Sequence, residues 1–418
     1  MRKSRLLIAA LGVIATAASG QTVPIRTIGP ILATSTENVG PAVTIRATSD
    51  GHVIVGAGAR QRVYAFDSTL QKFTIVADSG VGTGTLAIRM TGLIPYAGDS
   101  TLLPDFNANA FQVIDASGKQ VRSIAPPNTK DLPYLGIPSG FGRPGLDAKG
   151  RLVYRTMLAP PGAAARIGEV ATDPRAAMMT ATADTSPIVR GDFDTRKIDT
   201  LGWMKAPPPG RTTMDLKMNP SGGAPTVTVH VLVNPFPMSD EWVLLSDGSV
   251  AIVRVQDYHI DWVDPDGTRR STPKMPVDWR KYTDAERAQR IDTTRKIVDE
   301  QVKLAAARVS STPGMPQLKF DVSMVPDSEF PGFWPLVQPG AVLADLDAHL
   351  WVLPTTSLNA ANGLTYDVIN KEGTVFERVQ LPKGRALAGF GPHDAVYMTR
   401  SDGKGTYLER AVLSPPPR

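Results

Sequence analysis

Short β-branched runs recur along the chain, each broken by a tight turn and resumed on its far side. Thr44-Ile45-Arg46-Ala47-Thr48 leads into Asp50-Gly51 and then His52-Val53-Ile54-Val55. Glu241-Trp242-Val243-Leu244-Leu245 leads into Asp247-Gly248 and then Ser249-Val250-Ala251-Ile252-Val253. Looser copies surround Asp99, Asp147, Asp347 and Asp394. An Asp-Gly pair between two strand-like runs predicts a hairpin, because glycine accepts the positive φ that the turn requires. A second hairpin follows in most units, as in Arg62 to Phe66 turning into Lys72 to Val76, or Tyr366 to Asn370 turning into Val375 to Val379. Two hairpins in series predict a four-stranded antiparallel meander.

The first turns are separated by 49, 48, 100, 100 and 47 residues. A period near 48 matches the length of one blade in a radial repeat. Each interval of 100 has room for a further blade. Residues 159–225 are instead rich in proline, alanine and glycine, with one hairpin-like stretch from Pro187 to Trp203, and residues 278–339 carry a helix. The expectation is an all-β, six-bladed β-propeller of four-stranded antiparallel blades with one helical insertion. It spans residues 21–413 as a single domain, with insertions at about 157–185, 205–240 and 277–339 and a proline-rich tail at 414–418.

The helix is predicted over about 284–308. Thr283-Asp284-Ala285-Glu286 reads as a capping box. Ile291, Ile297, Val298, Val302 and Ala305 then recur at helical spacing, a stripe expected to pack against the propeller. Ring closure is expected from the N-terminus. The last unit offers only three strands, and Val23 to Ile28 is the candidate fourth, which removes exposed sheet edges.

Successive connections of a meander lie at alternate ends. All Asp-Gly-type turns therefore share one face of the disc, and the three insertions share the other, where binding residues are expected. Arg155, Arg254 and Arg400 end the second strand in three units near that face. Pointing inward they form a cationic mouth for a carboxylate, phosphate or acidic sugar; pointing outward they are solvated charges. Asp257-Tyr258-His259-Ile260-Asp261-Trp262 puts Tyr258, Ile260 and Trp262 on one strand face and His259 and Asp261 on the other. His52, His349 and His393 fall at the first-hairpin turns, and His230 stands alone in an alternating run. The inserted stretches carry Trp203, Trp279 and Trp334, able to stack on a sugar or peptide or to anchor their loops. No nucleophile elbow, phosphate-binding loop, zinc helix or calcium loop is present, so no catalytic residue, metal ligand or cofactor is assigned.

Composition changes this picture at the N-terminus. Arg2, Lys3 and Arg5 precede an apolar run from Leu6 to Ala18 and the small residues Ala18-Ser19-Gly20. That is the layout of a secretory signal peptide over residues 1–20, cleaved near Gly20, which predicts a periplasmic or secreted protein. The run is too short to span a bilayer as a helix, and no other segment is apolar enough. Without the leader, 42 Lys and Arg face 40 Asp and Glu, which gives no case for nucleic acid as a partner. With no cysteine, disulfides and thiol chemistry are excluded.

The unit from Asp240 through Asp247-Gly248 to Val253, continuing through Tyr258 to Asp266-Gly267, resembles the six-bladed propellers of the NHL and TolB-like group, of the exported bacterial type. Such propellers serve binding, assembly and catalysis alike. The expected function is a non-enzymatic interaction propeller holding a peptide, protein or glycan on its insertion-bearing face. The alternative is a metal-dependent hydrolase or lactonase of the gluconolactonase type, in which carboxylate and amide ligands surround a central ion. Asp105, Asn107, Glu241 and Asp257 are the candidates for that reading.

Overall fold

The computed structural model describes residues 23–41, 43–78, 86–87, 92–136, 141–157, 184–207, 210–217, 226–310 and 317–416. The leader expected over residues 1–20 and most of the insertion expected at 157–185 lie outside the described residues.

Each predicted first turn joins two antiparallel strands. β2 (Val43–Ala47) to β5 (Phe73–Asp78), through β3 (Val53–Ala57) and β4 (Arg62–Phe66), form one meander, with the short β6 (Leu86–Ala87) added in parallel to β5. The second runs β7 (Ile94–Pro95), β8 (Thr101–Asp105), β9 (Ala110–Ile114) and β10 (Gln120–Ile124). The third runs β11 (Gly145–Leu146), β12 (Leu152–Arg155), β13 (Thr185–Gly191) and β14 (Ile198–Lys205). Next comes β17 (Glu241–Leu244), β18 (Val250–Arg254), β19 (His259–Val263) and β20 (Arg269–Ser271). The last described strands, β22 (Val337–Ala344), β23 (Leu350–Pro354), β24 (Thr365–Ile369), β25 (Val375–Gln380), β26 (Arg385–Gly391), β27 (Ala395–Ser401) and β28 (Thr406–Leu413), belong to one eight-stranded sheet completed by β1 (Ile25–Thr34).

The turn chemistry explains the hairpins. Gly51 and Gly248 both sit at φ +85, a conformation that a β-carbon opposes. The Asp247 carboxylate fixes its turn by accepting from the amide (3.0 Å) and hydroxyl (2.7 Å) of Ser249. At the last first turn no glycine is present, and His393 and Asp394 themselves take φ +59 and +56. Two successive left-handed residues are what a two-residue hairpin loop demands, and aspartate tolerates that region better than most side chains.

Apolar side chains meet between meanders, and the contacts run in a circle. Ile54, Val63 and Ala77 of the first pack on Leu103 and Ile114 of the second. Leu102 and Phe111 of the second meet Leu152, Tyr154 and Val189 of the third. Val153, Ile188 and Leu201 meet Trp242, Ile252 and Val263. Trp262 and Ile260 share a core with Trp351, Val368 and Val396. Tyr397, Ala388 and Leu408 return to Val53, Tyr64 and Phe66 of the first. A closed circle of antiparallel meanders, each buried against the next, is a β-propeller.

β1 completes the circle somewhat differently from the expectation. Val23 to Ile28 was the expected closing strand, but the strand starts at Ile25 and runs on to Thr34. Ile28–Thr34 pair antiparallel with β28, and Ile25–Thr27 pair in parallel with Arg378–Gln380 of β25. Bulges between Ile28 and Ala33 accommodate the change of partner. One strand thus joins two meanders.

The inserted stretches come together into a unit of their own. β15 (Gly210–Lys217), β16 (Thr226–Val233) and β21 (Gln317–Met324) form a three-stranded sheet, with β16 and β21 parallel and in continuous register. The long helix Asp284–Ser310 starts at the capping box, with Glu286 N–H donating to the Thr283 hydroxyl (3.2 Å) and Thr283 N–H to the Glu286 carboxylate (3.0 Å). Its stripe does not pack on the propeller as expected. Val298 covers Val229, Val231 and Val233, and Ile291 meets Phe236 and Phe330. The reason is that the inserted sheet has its own apolar face, whereas Ile297 and Leu304 stay exposed.

Candidate functional site

The first strands of the meanders face the axis. Residues of β2, β7, β11, β17, β22 and β26, with those flanking them, line an axial cavity of about 290 Å³. Its lining includes Ser246 and Leu346, so it opens on the face of the first turns. At the opposite end lie the start of β17 and the ends of β12 and β18.

That opposite end holds an acid pair, Asp240 and Glu241, both buried. Asp240 is saturated. Its Oδ2 accepts from Arg254 Nη1 (2.7 Å) and the Lys205 amide (2.8 Å), and its Oδ1 from the Val255 amide (3.2 Å). Glu241 has less. Its Oε2 accepts from the Gly340 amide at 2.9 Å. Burial raises the Glu241 carboxyl to about 7, against the opposing pull of the Gly340 amide and the Arg155 charge, and the Asp240 charge adds to the rise.

Arg155 ends β12 and is itself buried. Its Nε donates to Ser186 Oγ (3.0 Å), and its guanidinium lies 4.7 Å over the Phe141 ring. Burial lowers its pKa to about 10, opposed by Glu241. A carboxyl that titrates near neutrality next to a desolvated guanidinium is a combination found where proton transfer is performed. It can exchange a proton at neutral pH and steady an oxyanion at the same place.

The expected cationic mouth of three arginines does not form. Arg254 pairs with Asp240 and with Asp261 (Nε to Oδ2, 2.7 Å). Arg400 pairs with Glu409 (2.9 Å) and Asp402 (3.0 Å) and lies over the Tyr407 ring. Both are held by carboxylates of their own meander. Antiparallel pairing sets Arg254 opposite His259, within reach of Asp261 two residues on. Arg155 alone belongs to the Glu241 neighbourhood.

The other expected residues are dispersed. Asp257 pairs with His259 (2.8 Å) and Lys274 (3.3 Å). Tyr258 is buried in the shared core and left-handed at φ +44. Trp203 is exposed on β14. Trp279 meets Phe333 edge-on beside a second, open cavity of about 390 Å³ that Asp257 also lines. Trp334 stacks on Tyr282 at 4.6 Å, with the Arg280 guanidinium over its own ring, and so anchors its loop. His230 is not alone: β15 and β21 bring Asp215 (3.1 Å) and Asp321 (2.9 Å) to its two nitrogens.

The candidates for a central ion do not converge. The Asp105 carboxylate caps its own turn at the amides of Asn107 and Ala108, Glu241 answers Gly340, and Asp257 answers His259. Among the described residues no group of three or more His, Asp or Glu is placed to hold a metal. Among the described residues, those proposed as ligands do not fit a central ion.

No family model matches the chain, and no curated protein matches it in sequence. Among solved structures it is similar to a calcium-binding regucalcin from Agrobacterium tumefaciens, at 11% identity and TM-score 0.39, covering 94% of this chain and 98% of that one. It is similar to a gluconolactonase from Xanthomonas campestris, at 9% identity and TM-score 0.38, covering 92% and 98%. It is also similar to a virginiamycin B lyase from Staphylococcus aureus, at 11% identity and TM-score 0.39, covering 92% and 98%. The last two carry the names of enzymes. The expectation of a non-enzymatic propeller gripping a peptide, protein or glycan is corrected on the chain's own residues. Within this chain the aromatic side chains meant for such a ligand are dispersed or spent on anchoring loops, and the insertion-bearing end holds instead a buried carboxyl poised near neutrality.

Proposed function

We propose that this chain is an enzyme of the hydrolase class, built on a six-bladed propeller and acting on a lactone or ester, with Glu241 as its acid–base group. The six-blade count rests on taking β22–β25 and β26–β28 with β1 as two blades that share β1, and on counting the three-stranded sheet as an insertion. The basic and apolar start of the chain supports an exported protein with a leader over residues 1–20.

The observation that carries the activity is the Glu241 carboxyl, raised to about 7 at the first residue of an axial strand. In its ionised form Glu241 takes a proton from water as the hydroxyl oxygen adds to the carbonyl carbon. The carbonyl pair moves onto oxygen, and the Arg155 guanidinium stabilises the oxyanion. When the tetrahedral adduct collapses, the carbon–oxygen bond to the leaving group breaks and Glu241 returns the proton to the departing alkoxide. Proton transfer of this kind contributes about 10²–10⁴-fold to rate.

The test is a pH-stat assay of purified protein on sugar lactones and aryl esters. Turnover is expected with an apparent pKa near 7 in its pH profile, and Glu241→Gln is expected to lower kcat by about 100-fold or more. Failure of the wild-type protein to exceed the water rate on every substrate, or an unchanged kcat in the variant, would overturn the assignment.

A further inference from the structure

The turn-side cavity holds two arginines that the proposed chemistry does not use. Arg143 precedes β11 and projects across the axis, where its Nη1 donates to the Ala388 carbonyl of β26 at 3.0 Å. Arg46, within β2, donates from Nη1 to the Ala47 carbonyl (2.9 Å) and from Nη2 to the Gly98 carbonyl (3.0 Å). Its Nε is buried without a hydrogen-bond partner. Both side chains line the same cavity, and among the described residues neither guanidinium is in an ion pair.

Several other arginines are treated differently, although Arg269 too donates to a carbonyl, that of Leu201. Arg62, Arg151, Arg254, Arg385 and Arg400 each hold a carboxylate. The acids nearest the cavity are already engaged. Asp345 lines it, but its Oδ1 accepts from the amides of Asp347 and His349, and its Oδ2 from Trp351 Nε1 (2.9 Å) and His349 Nδ1 (3.0 Å). Asp99, whose charge acts on Arg46, accepts from the amide and the hydroxyl of Ser49. A half-buried cation whose hydrogen bonds all go to neutral carbonyls is stabilised by a counter-charge that completes it. Apolar side chains, among them Ile45, Leu93, Leu244 and Phe390, make up much of the remaining wall beside Thr44 and Ser246, and strengthen any charge-assisted bond made inside.

We propose that this cavity is an oxyanion site, in which Arg46 and Arg143 together hold a carboxylate or phosphate group entering from the turn face. Planar guanidinium forks suit both groups. The site lies at the opposite end of the axis from Glu241 and concerns binding alone, so its failure leaves the hydrolase proposal standing and the converse also holds.

Calorimetric titration of the full protein with succinate and with inorganic phosphate tests it. The expected result is saturable binding of at least one of them, weakened by about tenfold or more in Arg143→Gln and in Arg46→Gln. Arg122→Gln, which removes an exposed charge that donates to the Tyr96 hydroxyl, is expected to bind as wild type. The anion that binds tells carboxylate from phosphate. No binding of either anion by the wild-type protein, or undiminished binding in both cavity variants, overturns the proposal. Should those variants fail to fold, phenylglyoxal labelling of the wild-type protein decides: the bound anion must protect Arg46 and Arg143, and equal labelling with and without it refutes the site.

Discussion

Replacing Glu241 with glutamine should flatten part of the protein's pH-stability curve. The carboxyl rises from its ordinary 4.5 to about 7 on folding. Between those two values the folded chain binds a proton that the unfolded chain has released. Stability from this group is therefore full below about pH 4.5 and is lost as pH climbs to about 7, after which it levels off. Each pH unit in that window is worth about 1.4 kcal/mol, so the whole loss is about 3 kcal/mol. Glutamine keeps the acceptor for the Gly340 amide but cannot ionise, so the variant should lack this decline and gain on wild type at pH 8. Denaturant midpoints measured from pH 4 to 9 for both proteins give the comparison. Parallel curves, with no gain for the variant above pH 7, would refute the argument that burial governs this carboxyl.

Further outcomes follow from other parts of the structure. Gly142→Ala should cost more than about 2 kcal/mol, because Gly142 lies at φ +76 and an added β-carbon would fall 2.2 Å from Trp242 Nε1; urea denaturation reads this. Removing residues 1–34 strips β1 from both β28 and β25 and leaves strand edges open, so the truncated chain should aggregate under conditions that keep the full chain monodisperse in light scattering. His230 meets Asp321 through Nδ1 and Asp215 through Nε2, and both carboxylates raise its pKa above the usual 6.5. Its NMR titration midpoint should therefore lie above 6.5, and Asp321→Asn should move that midpoint down.

The hairpins were legible because their chemistry is local: Asp247, Gly248 and Ser249 contain nearly everything that their turn needs. The circle of sheets was legible from their spacing for the same reason. What escaped depends on residues far apart in sequence. The parallel pairing of β16 with β21 joins segments about 90 residues apart, and it brings Asp321 to His230, which then lies between two aspartates rather than alone. It also gives the long helix a surface that its own apolar spacing could not identify. Glu241 was visible only as one dispersed carboxylate, since the Gly340 amide that receives it lies 99 residues on. Its signal was an acid opening an otherwise apolar axial strand. Arg143 carried a similar signal, a lone charge in Phe141-Gly142-Arg143-Pro144-Gly145 just ahead of a strand.

The account turns on a single protonation equilibrium in the axial strand β17. Carbon-13 NMR of glutamate-labelled protein, compared with the Glu241→Gln variant, isolates that carboxyl in the difference spectrum. A midpoint close to pH 7 is the predicted result; a midpoint between pH 4 and 5 would contradict it.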